Sequence, residues 1–106
     1  MAATFWLDVV SPEGMVWSGQ AVLLVTRSLD GELGILAHHE PLMATLAPWS
    51  AEIVLATEER VTLAVGNGFL QVKRNRVTLL ADRAVVVEEG VAAARAMALE
   101  LAGAPA

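Results

Sequence analysis

Apolar and polar residues alternate along most of this chain with a period of two. Phe5, Leu7 and Val9 alternate with Trp6, Asp8 and Val10, the pattern of a strand with one buried face. Ser11-Pro12-Glu13-Gly14 ends it. Met15 to Ser18 reads as a short extended piece stopping at Gly19, and Ala21 to Thr26 as a continuous apolar run of strand length. Lacking a polar face, that run is expected to be covered on both sides. Leu29 to Gly31 turns the chain into a brief strand containing Leu33, Ile35 and Leu36. Leu42 to Leu46 is extended until Pro48, which cannot donate to a ladder and belongs at an edge or a break.

From Ser50 the pattern predicts a meander. Ile53 and Leu55 alternate with their neighbours, Thr57 to Arg60 makes a polar turn, and Val61, Leu63 and Val65 return. Gly66-Asn67-Gly68 signals another turn, followed by Phe69 to Lys73 and Val77 to Asp82. Many short strands punctuated by turns predict a sandwich or barrel.

Only the end changes period. Glu88 to Ala102 is rich in helix formers, with Glu88 and Glu89 at the favoured N-terminal end and Gly103 and Pro105 past the stop. Val91, Ala94, Ala98 and Leu101 share one stripe. A helix of about fifteen residues is marginal alone in water, so it must dock on the sheets or on another chain. Its alanine-rich face implies close approach with little apolar burial, which predicts the least stable element of the fold.

At 106 residues the chain fits one domain. Its hydrophobic fraction is 56%, yet charged residues, Gly or Pro interrupt every apolar stretch before bilayer-spanning length. Any membrane attachment is therefore expected through a partner. Met1 to Thr4 carries no secretory signature, and with no cysteine there is no disulfide. A net charge of −5 argues against nucleic-acid binding, which needs a basic surface. The one basic cluster, Lys73, Arg74 and Arg76 around Asn75, reads as a solvated hairpin turn.

Residues whose chemistry packing does not explain concentrate between Asp30 and Leu46. Gly31 and Gly34 permit unusual backbone angles, and Pro41 restrains itself and Glu40. His38 and His39, with Glu32 and Glu40, could supply metal ligands or an acid/base pair. Successive residues of an extended backbone point to opposite faces, however, and no Cys or third His exists. A bend histidine or a partner contact is the better reading, and no nucleophile motif argues for an enzyme.

With these segments laid out, the sequence resembles the epsilon subunit of the bacterial F-type ATP synthase. Leu7-Asp8-Val9-Val10-Ser11 is similar to that family's opening strand, and Trp17-Ser18-Gly19 to its aromatic-Ser-Gly signal. Gly31-Glu32-Leu33-Gly34-Ile35-Leu36, then His39, Pro41 and Leu42, resemble its glycine-rich loop and bend. Val65, Gly68, Phe69, Val72 and Asn75 to Asp82 resemble its final meander.

The resemblance implies a flattened ten-stranded β-sandwich of two five-stranded sheets over residues 1–86, then one short helix over 87–106. It implies a non-catalytic rotor subunit of a proton-translocating ATP synthase, without cofactor or metal, peripheral on the cytoplasmic side of the cell membrane. Its partners would be the gamma shaft and the c-subunit ring, with at most weak or transient contact to the catalytic alpha/beta head. Asp30, Gly31 and Glu32 match the loop facing the ring; Ser11, His39, Leu42, Met43 and Ala44 match the shaft-facing segments. Outward members of Ala21 to Thr26, Met43 and the three tryptophans could extend that interface, though packing is the better use for at least two tryptophans. The competing reading is a free-standing β-sandwich module binding a ligand or protein.

Two departures bear on function. Ala37 and His38 stand where the family commonly has Pro and Gly. Val91-Ala92-Ala93-Ala94-Arg95-Ala96 resembles the family's nucleotide motif, but Ala92 occupies its aspartate position, so no nucleotide-binding residue is expected and Arg95 reads as a solvated helix residue. About nineteen residues follow Val87, enough for one helix of about 22 Å, so self-inhibition by this arm is expected to be weak or absent.

Overall fold

The computed structural model describes residues 3–103, so Met1, Ala2 and the stop expected at Pro105 lie outside it. Ten strands precede one helix. They are β1 (Phe5–Ser11), β2 (Gly14–Ala21), β3 (Leu23–Ser28), β4 (Gly31–Leu36), β5 (Leu42–Leu46), β6 (Trp49–Val54), β7 (Arg60–Val65), β8 (Gly68–Lys73), β9 (Arg76–Ala81) and β10 (Ala84–Val86); α1 is Val91–Leu101.

The strands form two layers of five. One runs β10-β7-β6-β3 with β4 beside β3; the other runs β5-β8-β9-β1-β2. A single residue pair, Ser28 opposite Leu46, joins them at one margin. Backbone hydrogen bonds from Leu29 N to Thr45 O (3.0 Å) and from Ala47 N to Arg27 O (2.9 Å) flank it. At the other margin β10 lies against β1 and β2, so the sandwich is nearly a closed barrel.

Alternation explains the core. Phe5, Leu7, Val9, Leu24, Ile35, Leu46, Ile53, Leu63, Leu70 and Leu79 are inward members of their strands and are buried. The Ala21 to Thr26 run departs from expectation: Leu24 and Thr26 are buried while Leu23 and Val25 are only half-covered, so the outer face of β3 is not sealed. A bulge follows Val9, which opposes Trp17, whereas Val10 opposes Met15 and leaves Val16 as the extra residue.

The segment after Ser50 is not one continuous meander. β6 pairs with β7, but β8 pairs with β5 and β9, so Gly66-Asn67-Gly68 crosses between layers and does not close a hairpin. Space is tight at both glycines, against a movable side chain at Gly66 and against fixed backbone at Gly68. A Cβ on Gly66 would lie 2.6 Å from Asp82 Oδ1, and one on Gly68 2.5 Å from Leu80 O.

The helix begins at Val91, three residues later than the helix-former run predicts, because Gly90 takes φ 107 immediately before it. Glu88 and Glu89 therefore precede the helix, and its first turn holds no acidic residue. The helix lies on the outer surface of β6 and β7, where Ala94 and Ala98 bury against Ala64 and Val87, with Met97 and Leu101 partly covered beside them.

Candidate functional site

The β3–β4 turn is an exposed acidic knob. Leu29 and Asp30 form its loop, since Ser28 still pairs with Gly31, whose φ of 133 suits glycine alone. Ser28 Oγ donates to Gly31 O (3.0 Å) and accepts from Asp30 N (3.1 Å), fixing the turn from within. Asp30 and Glu32 are exposed and form no ion pair among the described residues. Between the strands Leu29 projects at 69% exposure, a large apolar residue at a turn position that hydrophobic patterning does not distinguish.

The bend at His38–Pro41 is held from a distance. His38 adopts φ 62, and its backbone N donates to Asn75 Oδ1 (2.7 Å). Asn75 Nδ2 in turn donates to Thr4 O (2.9 Å), so one side chain staples the bend, the N-terminal strand and the β8–β9 turn. The ring of His39 is turned to its own chain, with Nδ1 2.7 Å from Glu40 O. Among the described residues no group of three or more His, Asp or Glu gathers as metal ligands would.

Of the three β5 residues matched to the shaft interface, only Met43 offers its side chain. Leu42 packs on the core and Ala44 is half-buried, whereas Met43 is 66% exposed. Ser11 lies at the far end of β1 in an apolar groove with Val10, Phe69 and Leu80. The outer face of this layer is ordered in rows. Thr45, Phe69, Leu80, Val10 and Met15 are successive cross-strand neighbours on β5, β8, β9, β1 and β2. All but Thr45 are apolar, and Met15 and Leu80 are clearly exposed. The signal was present in the sequence: Val9-Val10 and Leu79-Leu80 each put an apolar residue where alternation demands an outward position.

The next row starts at Met43 and is otherwise polar, with Gln71, Thr78, Asp8 and Ser18. Asp8 anchors it, accepting from Trp6 Nε1 (2.9 Å), Ser18 Oγ (2.8 Å) and Arg76 (3.1 Å). Burial alone would raise the Asp8 carboxyl, but the hydrogen bonds from Ser18, Trp6 and Arg76, with the Arg76 charge, together hold it below its ordinary value.

Leu23 and Val25, grouped with Met43 from the sequence, lie on the outer face of the other layer, so the two sets do not form one surface. Trp17 packs on the core. Trp49 carries two guanidinium groups, Arg27 at 4.9 Å and Arg95 at 4.4 Å from its ring centroid. Arg95 Nε also donates to the buried Ser50 Oγ (3.2 Å), so Arg95 clasps the helix to the sandwich and is not simply solvated.

Comparison with known proteins bears on what this surface is for. A family model described as the ATP synthase Delta/Epsilon chain beta-sandwich domain matches residues 4–87. The ATP synthase epsilon chain of Brevibacillus brevis is 40% identical over 74% of this chain and 59% of its own length. That of Corynebacterium efficiens is 38% identical over 82% of this chain and 71% of its own. This chain thus spans a little under two thirds of some of the relatives it matches. Among solved structures, a chain in the Euglena gracilis mitochondrial ATP synthase OSCP/F1/c-ring assembly superposes with a TM-score of 0.78 at 25% identity, covering 95% of this chain and 64% of that one. A chain of the Tetrahymena thermophila central stalk/c-ring shares the fold, with a TM-score of 0.66 at 10% identity over 78% of this chain and 66% of that one. No helix among the described residues is long and apolar enough to cross a membrane.

Proposed function

This chain belongs to the ATP synthase Delta/Epsilon chain family, and from that membership we propose that it is a non-catalytic rotor subunit held between the gamma shaft and the c-subunit ring. Residues 1–86 form the docking body in this reading and 87–106 an appendage. The acidic knob of Asp30, Gly31 and Glu32, with Leu29 at its tip, addresses the ring. The apolar row of Phe69, Leu80, Val10 and Met15, with Ser11 beside it and Met43 at its margin, addresses the shaft. Leu42, Ala44 and His39 support that face from behind, and contact with the catalytic head is slight. The subunit reaches the cytoplasmic side of the membrane only through these partners.

One observation carries the reading: the two surfaces meet at a corner. Leu29 N bonds to Thr45 O, and Thr45 is the cross-strand neighbour of Phe69, so knob and apolar row are tied by backbone. A body that must touch an axle and the ring around its foot needs two contact faces sharing an edge. Carboxylates at the knob give orientation more than affinity, whereas the apolar row supplies burial.

The test is reconstitution of the enzyme with Asp30→Asn/Glu32→Gln/Leu29→Ser or with Leu80→Glu. The knob variant should retain gamma binding and lose coupling of ATP synthesis to proton flow; the Leu80 variant should lose gamma binding. Full coupling in both would overturn the assignment.

A further inference from the structure

We propose that the basic β8–β9 turn is a docking point for carboxylates of the same shaft partner, so that the partner segment is apolar at one end and acidic at the other; this rests on the shaft reading above. The third row of the outer face carries it. Lys73, Arg76, Trp6 and Gln20 are cross-strand neighbours on β8, β9, β1 and β2, and Lys73, Arg74 and Arg76 share an open groove with Gln71 and Thr78. Three of the chain's seven Lys and Arg residues thus lie within four positions of an otherwise acidic protein.

Arg76 is matched by Asp8, but Lys73 and Arg74 form no ion pair among the described residues. Both are exposed, so their charges are open to a partner's carboxylates. Arg74 also stands at φ 52 and Asn75 at φ 59, the pair of left-handed angles of a two-residue hairpin turn. Asn suits such an angle and Arg does not, so stability alone does not account for an arginine at the tip.

The row is continuous with the proposed shaft face, which fixes the partner's layout. Phe69 and Lys73 are four residues apart on β8, a separation of about 13 Å. A helical partner would carry its carboxylates about nine residues from its apolar anchor, an extended one about four. An anionic membrane is a poorer occupant, because the turn and the acidic knob sit at opposite ends of β5 and β8.

The experiment measures association of the full chain with the gamma subunit from the same source, at low salt and at about 0.5 M, where screening is nearly complete. Lys73→Glu/Arg74→Glu should slow association about tenfold at low salt, and the difference should close at high salt. Arg74→Asn should melt at or above the unaltered protein yet associate more slowly. Equal association rates for all three would overturn the proposal, as would a loss of binding that persists at high salt. So would binding of the unaltered protein to phosphatidylglycerol vesicles that the double variant abolishes. Met43→Glu separates the two levels: if it binds gamma like the unaltered chain, or if neither binds, the shaft reading itself fails.

Discussion

Replacing Gly68 with alanine tests whether the crossing between layers depends on close backbone approach. Neither Gly66 nor Gly68 has a positive φ, so a side chain meets no dihedral penalty at either position. At Gly68 the added Cβ would lie 2.5 Å from Leu80 O and 3.3 Å from Ala81 Cα, both backbone atoms of a paired strand. The strands must separate by several tenths of an ångström, and overpacking of this kind costs about 2–3 kcal/mol. Alanine recovers about 0.4–1 kcal/mol by restricting the unfolded chain. The net loss is about 2 kcal/mol, which at about 5 °C per kcal/mol lowers Tm by about 10 °C. Gly66→Ala is the control. Its Cβ would meet Asp82 Oδ1 at 2.6 Å, but that atom ends an exposed side chain free to swing away. Its effect should stay within about 0.5 kcal/mol. Thermal melts of the two variants decide: equal losses, or no loss at Gly68, would refute the reasoning.

Asp8→Asn should lower stability at neutral pH. The Asp8 carboxyl is held below its ordinary value of 3.8, so its contribution is present above about pH 4 and lost as the pH falls through the folded value; melts across pH should show the two proteins converging in acid. Arg95→Ala removes the bond to Ser50 and the stacking on Trp49, and hydrogen exchange should show Val91–Leu101 opening faster by about 1–2 kcal/mol while the strands keep their protection. Arg95→Lys should not restore it, since an ammonium does not reproduce the planar fork. Asn75→Ala breaks the staple to His38 N and Thr4 O and places alanine at φ 59, for a loss of about 2 kcal/mol by denaturant titration.

Alternation, apolar runs of strand length and the turn signals between them locate nine strands in the sequence, and alternation is clearest where one face is buried, as in Phe5–Ser11. The tenth, Ala84–Val86, spans three residues with no alternation of its own and is held by pairing with β7. The late helix start is hidden in the sequence because one glycine, Gly90, does not by itself interrupt a run of helix formers; its φ of 107 does. Gly66-Asn67-Gly68 was legible as a break, but its role was not, since the backbone atoms that forbid a side chain at Gly68 belong to Leu80 and Ala81. The same limit hid the staple of Asn75, whose partners are 37 and 71 residues away, and the clasp of Arg95 on Ser50, 45 residues away. The acidic knob was legible through the family resemblance, which matches Asp30, Gly31 and Glu32 to a ring-facing loop. The apolar row was not, because it exists only when five strands lie side by side.

In the proposed role, load must pass from the ring-facing knob to the shaft-facing row without bending the body between them. Side chains are a poor path, since exposed ones change rotamer readily. The structure offers a shorter one. The knob continues directly from β3, and β3 meets β5 only at Ser28 and Leu46, with bonds to Thr45 O and from Ala47 N on either side. Thr45 pairs with Phe69, so displacement of the knob is delivered to the apolar row through main-chain bonds alone. That narrow joint would be a hinge if the opposite margin were free. β10 approaches β1 and β2 there without pairing to them, so that margin is nearly but not fully closed and opposes the opening of the joint by packing alone. In the proposed role, packing at β10 therefore stiffens the path between the two proposed contact faces.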